Sequence, residues 1–199
     1  IMDDEKREYL IENNIGVCTS LDVPKELHDK NRPYPKASNH EQVLRWVKRF
    51  DEEYKKRDMD KRVDALVTLT RNSLGYWKEI IDQYLSLGLR TVHLRFLNNL
   101  GVAKDAWGKI SYTAEEYLEF WNKALAYIEE LRKEGVMIEE RMVDVMIKKI
   151  AGQKDPGYLD LRSPCGAVIG QLAYSHKGEV YTCDEARMIG EDTFLIGNV

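Results

Sequence analysis

The sequence predicts an α/β fold built from βαβ units, and three features carry that reading. Short β-rich segments at residues 15–21, 62–70 and 90–97 alternate with amphipathic helical segments at 39–56, 73–87 and 113–133. The helices carry their own start and stop signals, a Thr-x-x-Glu box from Thr113 to Glu116 and the terminator Gly88. The composition, 43% apolar and 32% charged over 199 residues, is that of a globular chain able to bury a core. Parallel strands joined by right-handed helical crossovers then give an α/β barrel or a doubly wound sheet.

The elements follow in order. The chain opens in a helical pattern whose apolar end is Tyr9, Leu10 and Ile11, with no capping segment in front, and it closes on the apolar run TFLIGNV. Both ends read as cuts through a longer polypeptide. IGVCTSL forms the first strand and stops at the turn residues Asp22 and Pro24; KELHDKNRPYPK then reads as a polar loop. The next helix, 39–56, repeats Val43, Leu44, Val47 and Phe50 at helical spacing. RVDALVTLT is the second strand, followed by helix 73–87. RTVHLRFL is the third, followed by a loop, NNLGVAKDAWGKIS, and the capped helix 113–133. A further helix, EERMVDVMIKKIAG, leads to a linker at 152–164 marked by Gly152, Pro156, Gly157 and Pro164. The expected domains are 1–151 and 152–199.

A net charge of −4 offers no broad attraction to nucleic acid or to an anionic membrane. No apolar run approaches the roughly 20 residues that span a bilayer, and the acidic opening is unlike a signal peptide. A soluble, cytoplasmic protein is expected, with no nucleic-acid or membrane partner.

Cys18 lies in a strand, where a cysteine acts as a small core hydrophobe. Cys165 and Cys183 flank a β-rich hairpin, with 17 residues between them and Gly178 five before the second. A disulfide suits the spacing but not a reducing cytosol. Zinc wants four ligands with a tight pair, and only His176 lies near. Part of an iron–sulfur ligand set completed elsewhere is the third alternative.

The segment from Cys165 to Cys183 reads cysteine, twelve residues, glycine, four residues, cysteine, and CDEARM with LIGN follows it. It resembles the opening of the SPASM domain, the auxiliary-cluster extension of radical S-adenosylmethionine (SAM) enzymes. A second match, CTSLDVPKELHDKNR, resembles the Ser-x-Asp-Gly-Pro strand and loop of the same enzymes, with Ser20, Asp22, Pro24, His28 and Arg32 in place. Val23 stands where the family has glycine. A β-branched residue resists positive φ, so this turn is expected to do without it. The resemblance covers nearly the whole chain, as the later half of a partial (β/α) radical SAM barrel and the start of a SPASM-type cysteine hairpin. The C-x3-C-x2-C loop for the SAM-binding cluster, the glycine-rich motif behind it and the later SPASM cysteines are not in this sequence. The chain by itself is therefore expected to be inactive.

The resemblance implies an enzyme that modifies a ribosomally made peptide through a 5′-deoxyadenosyl radical, with [4Fe–4S] clusters and SAM as cofactors and an external electron donor. Its wording is most similar to maturases of the His-Xaa-Ser peptide system. A sulfatase-type maturase that oxidises a Cys or Ser of a protein shares the motifs, and a non-catalytic peptide-binding half barrel is the alternative from another class. The implied roles are Ser20 towards the SAM ribose, Arg32 towards a SAM or substrate carboxylate, Cys165 and Cys183 as cluster ligands, and Asp184 as a base. Set against these are an Arg32 ion pair with Asp22 or Asp29, and a plain turn-capping role for Asp184 and Glu185. His93, Arg95 and Asn98 lie on or just after a strand, His93 and Arg95 sharing one face. The KK and EE runs read as solvated helix faces.

Overall fold

A computed structural model describes residues 2–35, 37–152 and 155–199, the side chain of residue 160 excepted. Ile1 and two residues of the expected linker, 153 and 154, lie outside the described residues. In chain order the elements are α1 (Asp4–Glu12), β1 (Cys18–Ser20), α2 (Lys25–Asn31), α3 (Asn39–Lys56), β2 (Asp64–Thr68), α4 (Trp77–Ser86), β3 (Thr91–Val92) and β4 (Leu94–Arg95). They continue with α5 (Val102–Ile110), α6 (Ala114–Lys133), β5 (Glu139–Glu140), α7 (Arg141–Ala151), β6 (Ala173–Tyr174), β7 (Glu179–Tyr181), α8 (Asp184–Ile189) and β8 (Leu195–Asn198). The chain divides into two compact units, residues 1–97 with 111–142, and residues 98–110 with 143–199.

The first unit is the βαβ assembly. β1, β2 and β4 run parallel, with Ser20 opposite Leu66 and Thr68 opposite Arg95. β3 pairs in parallel with β5. Leu21, Val67, Leu69 and Leu94 lie wholly buried with Ile80, Tyr84 and Phe120 of α4 and α6. Each such side chain contributes about 1.5–3 kcal/mol of transfer free energy. Alternation then turns Ser20, Leu66, Thr68, His93 and Arg95 to the other, more polar face. A second cluster, Ile11, Val47, Phe50, Tyr54 and Val63, holds α1 and α3 together.

Five expectations change here. Residues 25–31, expected as a polar loop, form α2 because Leu27 and His28 are both buried against the fold; about two turns give too short a period to be read from sequence. Residues 102–110 form α5 where a loop was expected, and none of its side chains is buried. The strand at 90–97 breaks at His93, because β3 pairs with β5 and β4 with β2. At that switch the Leu94 amide donates to the Glu140 carboxylate at 3.2 Å, so a side chain continues the ladder. Glu140 is 3% exposed, which corrects the reading of this EE run as a solvated helix face. The first helix does have a cap: the Asp3 side chain accepts from the Lys6 amide at 2.9 Å.

Other elements form as the sequence predicts. α3 spans Asn39–Lys56 with Ser38 as its cap, α6 opens with the reciprocal Thr113–Glu116 box, and Gly88 takes φ +76° behind α4. Helix 73–87 begins as a 3-10 turn, Arg71–Ser73, and becomes α-helical at Trp77.

The second unit carries a three-stranded antiparallel sheet, β6-β7-β8. Its hairpin turns at Gly178, whose φ is +83° and whose missing Cβ would stand 2.8 Å from the Val199 carbonyl oxygen, so both conformation and space require glycine. The buried cluster here is small, Ala173, Tyr181 and Ala186. Among the described residues no helix is long and apolar enough to cross a membrane.

Candidate functional site

The carboxyl ends of parallel strands are where α/β folds place functional groups, and β1 ends in Ser20, Leu21 and Asp22. Asp22 is 1% exposed and serves as the hub of the turn. Its carboxylate accepts from Arg32 Nε at 2.9 Å, from the Thr68 amide at 3.1 Å and from Asn31 Nδ2 at 3.4 Å. The Asp22 amide donates to His28 Nδ1 at 3.1 Å. Thr70 joins from the end of β2, its hydroxyl donating to Asn31 Oδ1 at 3.1 Å. Tyr84, buried in the core, donates to the Leu21 carbonyl at 3.0 Å, and burial pushes its hydroxyl well above the ordinary tyrosine range.

Two consequences follow for the sequence-predicted residues. Arg32 forms the ion pair with Asp22, using Nε and Nη2, while about a third of its side chain (31%) stays exposed. The Ser20 hydroxyl makes no hydrogen bond among the described residues and stands on the polar face beside this hub. Val23 is fully buried and is not among the residues with positive φ, so the turn does without it as expected.

The polar face extends along the sheet. Arg95 sits opposite Thr68, and two tyrosines of the following segment bond to the backbone on either side of it: Tyr112 Oη accepts from the Leu97 amide at 2.7 Å, and Tyr117 donates to the Leu94 carbonyl at 3.1 Å. Burial pushes the Tyr112 hydroxyl up to about 12 and raises that of Tyr117 as well, with Glu140 adding to the latter. Asn98 falls in the other unit.

Two features escaped sequence reasoning. Glu140 looked like half of a charge run and proves to be a buried acid. His28 and His40 lie edge to face with centroids 5.5 Å apart, each with a buried Nε2 that finds no hydrogen-bond partner among the described residues. Burial lowers the pKa of both. His28 stood in the motif, but nothing in the sequence pairs it with His40. Cys18 departs from expectation too. It is exposed, because among the described residues β1 has a neighbour on one side only, and partial desolvation together with Asp64 raises its thiol pKa.

In the second unit the hairpin forms as predicted, and both cysteines are free thiols. The Val168 amide donates to the Thr182 carbonyl at 3.0 Å. That bond ties the strand after Cys165 to the residue before Cys183, and three extended residues span at most about 11 Å. Cys165 is exposed; Cys183 caps α8, its sulfur accepting from the Ala186 amide at 3.4 Å. Asp184 pairs with Arg187 at 2.7 Å, and both are part-exposed. The free thiols have the donor chemistry of an iron–sulfur site, but they are two where such a cluster commonly takes four. Among the described residues no group of three or more His, Cys, Asp or Glu is placed to hold a metal. A cluster on this hairpin therefore needs ligands from outside these residues.

The fold is shared with solved structures of anSMEcpe. Several of these structures hold AdoMet, and some hold a peptide as well. Native anSMEcpe with bound AdoMet aligns with a TM-score of 0.70 at 22% identity, over 100% of this chain and 51% of that one. The polyhistidine-tagged form with AdoMet gives 0.72, and the native form with AdoMet and the Kp18Cys peptide gives 0.67, both at 22% identity, over 100% and 99% of this chain and 49% and 51% of those. The chain thus spans about half the length of the structures it matches. No family model and no curated protein matches the sequence.

Proposed function

We propose that the chain is half of a radical SAM enzyme that modifies a peptide or protein side chain, with 1–151 belonging to the barrel and 152–199 opening an auxiliary-cluster domain. The observation that carries the reading is that one fold match runs through both units, over 99–100% of the chain, in structures holding AdoMet and, in some, a peptide. The two sequence motifs fall in that same order.

When bound, SAM and its cluster supply a 5′-deoxyadenosyl radical that removes a hydrogen atom from the substrate. This chain's residues position and shield. Ser20 offers its unpartnered hydroxyl to the SAM ribose, held there by the Asp22 hub. Arg32 stays anchored to Asp22 and turns the exposed edge of its guanidinium towards a carboxylate of SAM or substrate. Cys165 and Cys183 are two ligands of an auxiliary cluster. Asp184 acts as a base once substrate draws it from Arg187. The full polypeptide works in the cytoplasm, where thiols stay reduced, and takes electrons from an external donor.

The substrate is a ribosomally made peptide, as in the His-Xaa-Ser system. A second reading is a sulfatase-type maturase that oxidises a Cys or Ser; the peptides bound in some of the structural neighbours suit either substrate. A peptide-binding half barrel without catalysis is what remains if no cluster is bound. Anaerobic reconstitution of the full polypeptide with iron and sulfide, then SAM and reductant, tests the proposal. Release of 5′-deoxyadenosine that falls at least about tenfold in Ser20→Ala supports it; no release sinks it.

A further inference from the structure

α2 is fastened to the first unit mainly by polar contacts. None of its seven residues belongs to either buried apolar cluster of that unit, and Leu27 is its single buried apolar side chain. On one side the His28 ring accepts from the Asp22 amide at 3.1 Å, and Asn31 and Arg32 reach the Asp22 carboxylate. On the other, Asp29 accepts from the His40 amide at 3.0 Å, Lys25 pairs with Glu41, and the His28 and His40 rings meet edge to face.

The Asp22 bond fixes the state of His28. A ring nitrogen that accepts an N–H carries no proton of its own, so neutral His28 bears its one proton on Nε2. A second proton can go only to Nδ1, where it would face the Asp22 N–H, donor against donor. The charged ring and the Asp22 bond therefore exclude each other. Nε2 of both rings is buried without a hydrogen-bond partner among the described residues, so neither imidazolium could be satisfied in place. His28 is faced by Asp22 from the turn, by His40 from α3, and by Arg32 and Asp29 at the end of its own helix. His40 is faced by Asp29, Lys25 and Glu26 of α2 and by Glu41 of its own helix. Burial outweighs the carboxylates at both rings and keeps them neutral.

We infer that His28 and His40 form a latch: while both rings are neutral it holds α2 on the turn after β1, and when they take up protons α2 comes away with the rest of the first unit still folded. The opening is local because the strands keep Leu21, Val67, Leu69 and Leu94 packed on α4 and α6, a core to which α2 adds nothing. Arg32, whose amide closes the last turn of α2 on the His28 carbonyl at 2.8 Å, loses its seat at Asp22 with the helix. The docked rings hold protons less tightly than free ones, so docking is complete above the ordinary value of 6.5 and weakens as pH falls below it. The latch rests on the hub geometry alone. Its consequence, a carboxylate site withdrawn in acid, rests on the functional reading of Arg32.

The test is hydrogen exchange of the full polypeptide encoded by the gene, without SAM or iron, read at single amides and corrected for the intrinsic effect of pH. Its result is then independent of whether the enzyme reading stands. From about pH 7.5 to about pH 5.5 the protection of the Asp22, Arg32 and His40 amides should fall by about tenfold per pH unit, and by up to about 100-fold where both rings titrate. The Val67 and Leu69 amides, bonded to the His93 and Arg95 carbonyls, should stay at least about 100-fold better protected throughout. The double variant His28→Asn with His40→Gln keeps an acceptor for the Asp22 amide and takes up no proton, so its Asp22 amide should be as well protected at about pH 5.5 as at about pH 7.5. His28→Ala should lose that protection at every pH. Protection of the Asp22, Arg32 and His40 amides in the wild type that does not change with pH overturns the inference. So does its loss in step with Val67 and Leu69 at equal protection, or an acid response that survives the double variant.

Discussion

The turn after β1 and the cysteine hairpin carry the two halves of the functional proposal, and they are built on opposite principles. Asp22 is buried and satisfied by Arg32, Thr68, Asn31 and its neighbours, so that turn holds its geometry with protein atoms alone. The hairpin rests on a buried cluster of three residues, Ala173, Tyr181 and Ala186, with thiols that bond to little and an exposed last strand. A site of the first kind is preorganised for a diffusible ligand. One of the second kind gains its rigidity when a resident group binds, because ligation and ordering are then one free energy.

Removing one partner from the hub should give the largest effect. Arg32→Ala strands a buried carboxylate, and an expected loss of about 2–4 kcal/mol should appear as a lower urea midpoint of the first unit. Gly178→Ala should cost the hairpin about 1–2 kcal/mol, seen as faster exchange across β7 and β8 with the first unit unchanged. Tyr84→Phe leaves the Leu21 carbonyl without its donor and should cost about 1 kcal/mol.

Acid sharpens the contrast. His28 and His40 have folded-state pKa values below the ordinary 6.5, so the unfolded chain binds more protons. Their contribution is complete above pH 6.5 and is lost as pH falls below it, at up to about 1.4 kcal/mol per pH unit for each imidazole. Denaturation of the first unit from pH 7.5 down to about pH 5 measures this, and His28→Gln with His40→Gln should flatten the slope. Smallest of all, Cys165→Ser in the metal-free chain should change stability by less than about 0.5 kcal/mol, since the side chain is exposed.

The same contrast explains what could be read from the sequence. α3 and α6 were legible because their caps and apolar spacing are local, and the hairpin because Gly178 announces its turn. α2 was not, since two buried side chains in seven residues make no period. Glu140 was hidden because its burial depends on where β3 and β4 change partners, a tertiary event. The exposure of Cys18 depends on β1 having, among the described residues, a strand on one side only, which is again a tertiary matter. In the site itself, Ser20, Asp22 and Arg32 were legible as a motif, whereas the Asp22 hub, with donors as far away as Thr68, exists only in the fold.

The central claim is that the hairpin thiols are half of a cluster site. Anaerobically reconstituted full polypeptide, wild type and Cys165→Ser with Cys183→Ser, should be compared for bound iron and for absorption near 400 nm. The account predicts that the double variant loses about four iron atoms per chain while the SAM-cleaving cluster stays; iron content equal to wild type would contradict it.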